Sequence, residues 1–129
     1  KLDPKKDNIL LMGDFNDEPS NRSISKNLGA GEPGTNREFY TLMFELEQED
    51  QGSYNYRGNW NALDQFIVSP SLFNNQKEDL ELTGAQVFKR DFMIYKDEKY
   101  GDKPNRTYGG PNYYGGISDH YPIRAILHY

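Results

Sequence analysis

Apolar residues along this chain come in short clusters separated by polar, glycine-rich turns, and the period of each cluster predicts an element. Asn8 to Met12 is a compact apolar run closed by Gly13. It predicts a short buried strand that delivers the polar turn Asp14 to Glu18 at its end. Pro19 then stands where a first helical position belongs, with Asp17 or Glu18 as cap, and Ile24 and Leu28 lie four apart before Gly29. That spacing predicts a helix over residues 19–28. Glycine and proline make residues 29–36 a loop. Phe39, Leu42, Met43 and Leu46 follow at helical spacing and predict a short helix or turn-rich segment over 39–46.

Further along, Ser53 to Arg57 alternates, with Tyr54 and Tyr56 on one face, and Gly58-Asn59 is a turn signal ahead of the run Leu63 to Ser69. Together they predict a hairpin-like pair. Leu80, Leu82 and Ala85 to Phe88 predict one more strand, followed by the apolar Phe92 to Tyr95. Residues 96–116 are rich in Gly, Pro, Tyr and Asn without a period, which predicts a long loop. Ile123, Ala125 and Leu127 alternate with Arg124, Ile126 and His128 to give a final strand, on which His128 reads as a solvated surface histidine.

A chain of 129 residues defaults to one domain with an ordinary core. With 35% hydrophobic residues, ten tyrosines and twelve glycines, it sits with β-rich globular domains rather than disordered chains. The longest apolar run, Ile9 to Met12, is far too short to span a bilayer. A net charge of -5 supplies no general field for nucleic acid, local patches such as Lys89-Arg90 aside. The absence of cysteine removes disulfides, zinc-thiolate sites and a thiol nucleophile. Residues 1–7, charged and proline-containing, read as a linker or cut site, so a further upstream segment is expected. Localisation stays open, secretion or an envelope location included, because a signal would lie in that segment.

Three segments could carry chemistry. In Gly13-Asp14-Phe15-Asn16-Asp17, extended geometry would put Asp14 and Asn16 on one side and Phe15 on the other. A carboxylate can align or deprotonate water, and an amide can donate to a phosphoryl oxygen. Asp and Asn after a strand also form turns and caps, which is the bland alternative. In Leu63-Asp64-Gln65-Phe66-Ile67-Val68-Ser69, Asp64 sits inside an apolar strand, so it must be paired or face a wet cleft. In Gly115-Gly116-Ile117-Ser118-Asp119-His120-Tyr121-Pro122, the adjacent Asp119 and His120 point apart in extended geometry. Each therefore needs its own partner: a metal ion suits Asp119, and a carboxylate suits His120. Arg57, Trp60 and Arg106 are candidates for gripping a phosphate or stacking a substrate group.

Taken in order, these segments resemble the endonuclease/exonuclease/phosphatase superfamily of metal-dependent phosphoesterases, in particular its bacterial-type members. The resemblance rests on Gly-Asp-Phe-Asn, Leu-Asp-Gln-Phe-Ile-Val-Ser and Ser-Asp-His-Tyr-Pro, and runs from about Asn8 onward. It implies that Asp14 activates the attacking water, that Asn16 helps hold the phosphoryl group or metal, and that Asp64 buttresses His120. It further implies that His120 contacts the scissile phosphate, that Asp119 is a metal carboxylate, with Asp14 and Asn16 as further metal contacts, and that the cofactor is Mg²⁺ or Mn²⁺. The implied fold is α/β, half of a four-layer α/β/β/α sandwich, with one mixed, mainly antiparallel sheet and helices on one face.

In the family the first half of the sandwich supplies an Asn, a metal-binding Glu and a second His, and none of those motifs occurs here. Residues 1–129 are thus expected to be the C-terminal portion of one domain, inactive alone and prone to self-association through an uncovered sheet face. The partner would be the N-terminal half, and the substrate a phosphorylated molecule: a small metabolite, lipid head group or sugar phosphate is as compatible with the acidic chain as DNA. The competing expectation is a non-catalytic binding module that keeps the fold and uses its tyrosine-rich loop as a recognition surface.

Overall fold

The computed structural model describes residues 2–73 and 81–128. Its centre is a mixed four-stranded sheet of β1 (Leu10–Asp14), β2 (Ala30–Gly31), β3 (Phe39–Thr41) and β6 (Asp64–Val68), in the order β1-β6-β3-β2. β6 pairs antiparallel with both β1 and β3, while β2 joins β3 in parallel. The apolar run in β6 follows from this place. As a central strand it buries both faces, Phe66 and Val68 into one core cluster and Ile67 into the other.

The first cluster also holds Tyr40, Leu42, Met43, Leu72 and Leu82, and the second holds Ile24 and Ala30 with Leu11, Phe15 and Phe39 against them. β7 (Glu81–Val87) and β12 (Ile123–His128) form an antiparallel pair whose register shifts between Ala125 and Ile126, and Val87, Ile123 and Ala125 pack on the first cluster. Leu80, expected to open β7, and the His128 side chain lie outside the described residues.

Three small hairpins complete the chain: β4 (Tyr54–Tyr56) with β5 (Asn59–Asn61), β8 (Ile94–Asp97) with β9 (Gly101–Pro104), and β10 (Tyr108–Gly109) with β11 (Asn112–Tyr113). The expected pairing of residues 53–57 with 63–69 is therefore replaced by a tighter turn at Arg57-Gly58. Both turn residues take positive φ, 55° and 95°, as a two-residue hairpin loop requires. Holding arginine there costs about 1 kcal/mol relative to an ordinary conformation. The expected long loop at 96–116 likewise contains hairpins, because the Gly-rich turns let short polar strands pair.

Helix is scarcer than the periodicity suggests. The predicted helix over 19–28 shrinks to one π-type turn at Ser23–Asn27, closed by Leu28 N donating to Ser23 O at 2.9 Å. Asp17 does not cap it through a backbone N–H. Its carboxylate instead accepts from the Ser23 hydroxyl and the Asn21 amide, which hold its pKa below the usual carboxylate value. The predicted short helix or turn-rich segment over 39–46 divides into β3 and α1 (Phe44–Gln48), since Phe39, Tyr40 and Thr41 favour a pleated surface. The second short helix, α2, covers Pro70–Phe73. The chain is thus mostly β with a few short helices. Among the described residues no helix is long and apolar enough to cross a membrane. On the sheet face that also carries Phe66 and Val68, Leu10 and Met12 of β1 remain exposed, at 38% and 69%.

Gly52 makes a close backbone approach beneath the site: a Cβ there would lie 2.1 Å from the Asn61 carbonyl oxygen. Gly52→Ala should destabilise the fold by about 2 kcal/mol through overpacking, whereas Gly84→Ala, with open space around it, should stay within about 0.5 kcal/mol of the parent chain. Denaturant unfolding of the two variants side by side checks this, and equal midpoints would contradict the contact.

Candidate functional site

The register of β1 against β6 sets Asp14 directly opposite Asp64 at the open end of the sheet. Directly opposed side chains stand on one face only a few ångströms apart, and two carboxylates so placed repel. His120 supplies the compensating group. Its Nδ1 lies 2.7 Å from Asp64 Oδ2, with both side chains half-buried. An ionised carboxylate only accepts, so Nδ1 carries the proton of this bond and Nε2 is the nitrogen left for other partners. Asp14, Asp64 and His120 each offer a ligand-capable atom within 4.8 Å of the others.

Backbone contacts fix His120 in place. It forms an isolated antiparallel bridge with Tyr54, and the next residue, Tyr121, donates its N–H to Ser53 O at 2.8 Å. The Tyr54 ring lies against the imidazole with centroids 4.9 Å apart. Ser53 is fully buried and its hydroxyl donates to the same Asp64 oxygen that meets the imidazole. Asp64 Oδ2 thus receives two donors, one of which sequence reasoning missed. Nothing in the order of residues ties a serine in a turn-rich stretch to an acid eleven positions on.

The loop bearing Asp14 is held from below by Gln65. This buried side chain donates to the carbonyls of Asp17 at 3.1 Å and Ala62 at 2.6 Å, and accepts from the Thr41 hydroxyl at 2.8 Å. Both of its N–H donors and its carbonyl oxygen are engaged in shaping the strand end. Asn61 adds a bond from its amide to Glu18 at 3.0 Å. The extended path continues only to Phe15, whose N–H meets Leu63 O. Asn16 turns to φ 51° and donates its N–H to Asp14 Oδ1 at 2.8 Å, forming an Asx turn. The alternation that would set the Asn16 and Asp14 side chains on one side is therefore broken at Asn16.

Asp119 is exposed and stands outside the Asp14, Asp64 and His120 group. It adjoins His120, while Gly116 sits so tightly under the loop that a Cβ would meet the Asn105 carbonyl oxygen at 2.0 Å. Trp60 packs against the neighbour of His120. Its ring stacks on Tyr121 with centroids 5.8 Å apart, and the Lys89 ammonium caps the face of Trp60 at 4.5 Å. Burial lowers the Lys89 pKa and pushes the Tyr121 phenol up to about 12. Arg57 and Arg106, far apart in sequence, line one cavity with each other.

The donor chemistry fits a lightly coordinated hard cation. Mg²⁺ takes one or two protein carboxylates and retains other oxygen ligands. Asp64 Oδ2 is engaged by Ser53 and His120 and Asp14 Oδ1 by the N–H of Asn16, which leaves the second oxygen of each carboxylate for a cation. A small cavity of about 250 Å³, lined by Asp64, Ser118, His120 and Tyr121 among others, lies beside the pair.

No curated protein and no solved structure matches the chain. A family model described as Endonuclease/Exonuclease/phosphatase family does match, over residues 2–128, and all three segments that build the site fall inside that match. This chain belongs to the endonuclease/exonuclease/phosphatase family.

Proposed function

We propose that this chain supplies the Asp and His side of the active site in a metal-dependent hydrolysis of a phosphoester by activated water, as one half of a four-layer α/β/β/α sandwich. The observation that carries the reading is the convergence of Asp14, Asp64 and His120 within 4.8 Å from three distant segments. Family membership supports phosphoester chemistry as the use of that cluster.

In this reading Asp14 accepts the proton of the attacking water, being a carboxylate held by the Asx turn at the strand end. His120 donates from Nε2 to a phosphoryl oxygen as negative charge grows there. The Asp64 contact fixes its tautomer and supports the charged imidazole. Ser53 prevents Asp64 from rotating away from the ring. Of the residues that the resemblance assigns to the metal, Asp14 is the one in the cluster and would touch the Mg²⁺ or Mn²⁺ ion, which when bound would polarise the phosphoryl group as a Lewis acid. The rest of the metal site and the complementary sheet would come from the other half of the domain.

Two measurements test this. In the full-length protein, His120→Ala should lower kcat/KM for bis(p-nitrophenyl) phosphate by roughly 100- to 1,000-fold. Ser53→Ala, which leaves the dyad but removes one support, should cost roughly tenfold. Unchanged turnover in the His120 variant would sink the proposal. The second measurement concerns the 129-residue chain alone, which should give no Mg²⁺-dependent release of p-nitrophenol above buffer. Turnover equal to that of the intact protein would show that the residues described here suffice.

A further inference from the structure

A second cavity, of about 390 Å³, opens between the β4–β5 turn, the β8–β9 hairpin and residues 105–106. Tyr56, Tyr95, Tyr100 and Tyr114 form much of its wall, and Arg57 and Arg106 enter it from two different segments. Lys103 and Asp97 also line it, so three cations and one carboxylate give the wall a formal charge of +2 in a chain of net charge -5. Asp97 does not offset the arginines directly. It is bound to Lys103 and to the N–H groups of Lys99 and Tyr100, and these contacts hold its carboxyl down to about 2.

What remains unengaged in this cavity is a set of donors. Arg57 leans on the Tyr56 ring at 5.2 Å, and neither Arg57 nor Arg106 has an ion-pair partner among the described residues. Asn55, 5% exposed, accepts from Gly58 N through Oδ1 at 3.0 Å, but its Nδ2 is buried with no hydrogen-bond partner among the described residues. A buried amide left in that state costs about 1–3 kcal/mol. A ligand that answers two guanidinium forks must offer several acceptor oxygens and negative charge, and phosphate meets both conditions.

The position ties this cavity to the dyad. Asn55 follows Tyr54, whose ring rests on His120. Asn105, another lining residue, accepts the N–H groups of Ile117 and Ser118, which wall the cavity beside His120. We propose that the Arg57/Arg106 cavity binds a second phosphate group of the substrate, distinct from the one that reacts at His120. The substrate class is then a phosphoester carrying two phosphates, as a soluble metabolite or a lipid head group. This inference rests on the phosphoesterase reading for its role, but anion binding at the cavity can be measured without catalysis.

The probe is inorganic pyrophosphate, titrated calorimetrically into the chain in the presence of EDTA, so that no divalent ion contributes. The double variant Arg57→Gln/Arg106→Gln should bind it at least tenfold more weakly than the parent chain. Asn55→Asp, which keeps the acceptor for Gly58 and adds negative charge at the cavity wall, should weaken it comparably. Arg22→Gln, which removes an exposed arginine outside the cavity, should bind as the parent does. A thermal melt checks that each variant is folded. In a second arm, phosphatidylcholine vesicles with and without phosphatidylinositol 4-phosphate are sedimented with the same proteins. Arginine-dependent binding of pyrophosphate alone supports a soluble substrate, and tighter arginine-dependent binding of the phosphorylated vesicles supports a lipid. Binding that is absent, or unaffected by the two arginines in both arms, overturns the proposal. Arginine-dependent binding in a protein whose full-length form hydrolyses no phosphoester would instead sink the reaction and leave the anion site standing.

Discussion

The pairing of β1 with β6 places two acids face to face, and much of the surrounding structure serves to make that pair tolerable. Opposed carboxylates destabilise a sheet by up to about 1 kcal/mol, and a register slip of one residue would relieve the repulsion. The slip is blocked because it would also turn Ile67 out of one core cluster and Phe66 and Val68 out of the other. Apolar burial fixes the register, the register fixes the acids, and the acids call for a hydrogen-bond donor. His120 and Ser53 answer on Asp64, while Asp14 turns toward the N–H of Asn16.

The aromatic residues around the dyad set its rigidity. Tyr54 meets the imidazole from one side, and Tyr121, the neighbour of His120, is anchored by its N–H to Ser53 and by its ring to Trp60. Lys89 closes this stack, and its ammonium gains from the ring faces part of what it loses in hydration. Trp60 therefore braces the neighbour of His120. The exposed tyrosines lie elsewhere, Tyr108 and Tyr113 packing on each other in the β10–β11 hairpin.

Much of the site could be read from the residues because each of its key groups is anomalous where it stands. Asp64 interrupts an apolar run, and such an acid needs a partner, which the structure supplies as His120. The strands themselves follow from apolar runs, although the first, expected to be buried and to close at Gly13, runs on through Asp14 with Leu10 and Met12 exposed because no element covers that face among the described residues. The helices were not legible in this way. Ile24 and Leu28 have helical spacing but only one π-type turn between them, because Asp17 binds Ser23 and Asn21 side chains instead of starting a longer helix. Phe39 and Leu42 share a helical spacing yet enter different core clusters, because along extended chain residues three apart point to opposite faces of the sheet. The break at Asn16 was hidden for a related reason. A positive φ is a local decision of Asn and its neighbouring carboxylate, and no periodicity records it.

The Asp64–His120 contact spans 56 positions of the chain, and the bridge that steadies it joins Tyr54 to that same distant histidine. Neither can form until loops of that length have closed, and closing them is the slow part of building a fold dominated by non-local contacts. Partly folded species can hold the β1–β6 strands or a hairpin, but they cannot hold the dyad. Any signal that depends on the paired imidazole is thus an all-or-none readout of the finished tertiary structure, and local order elsewhere in the chain will not imitate it.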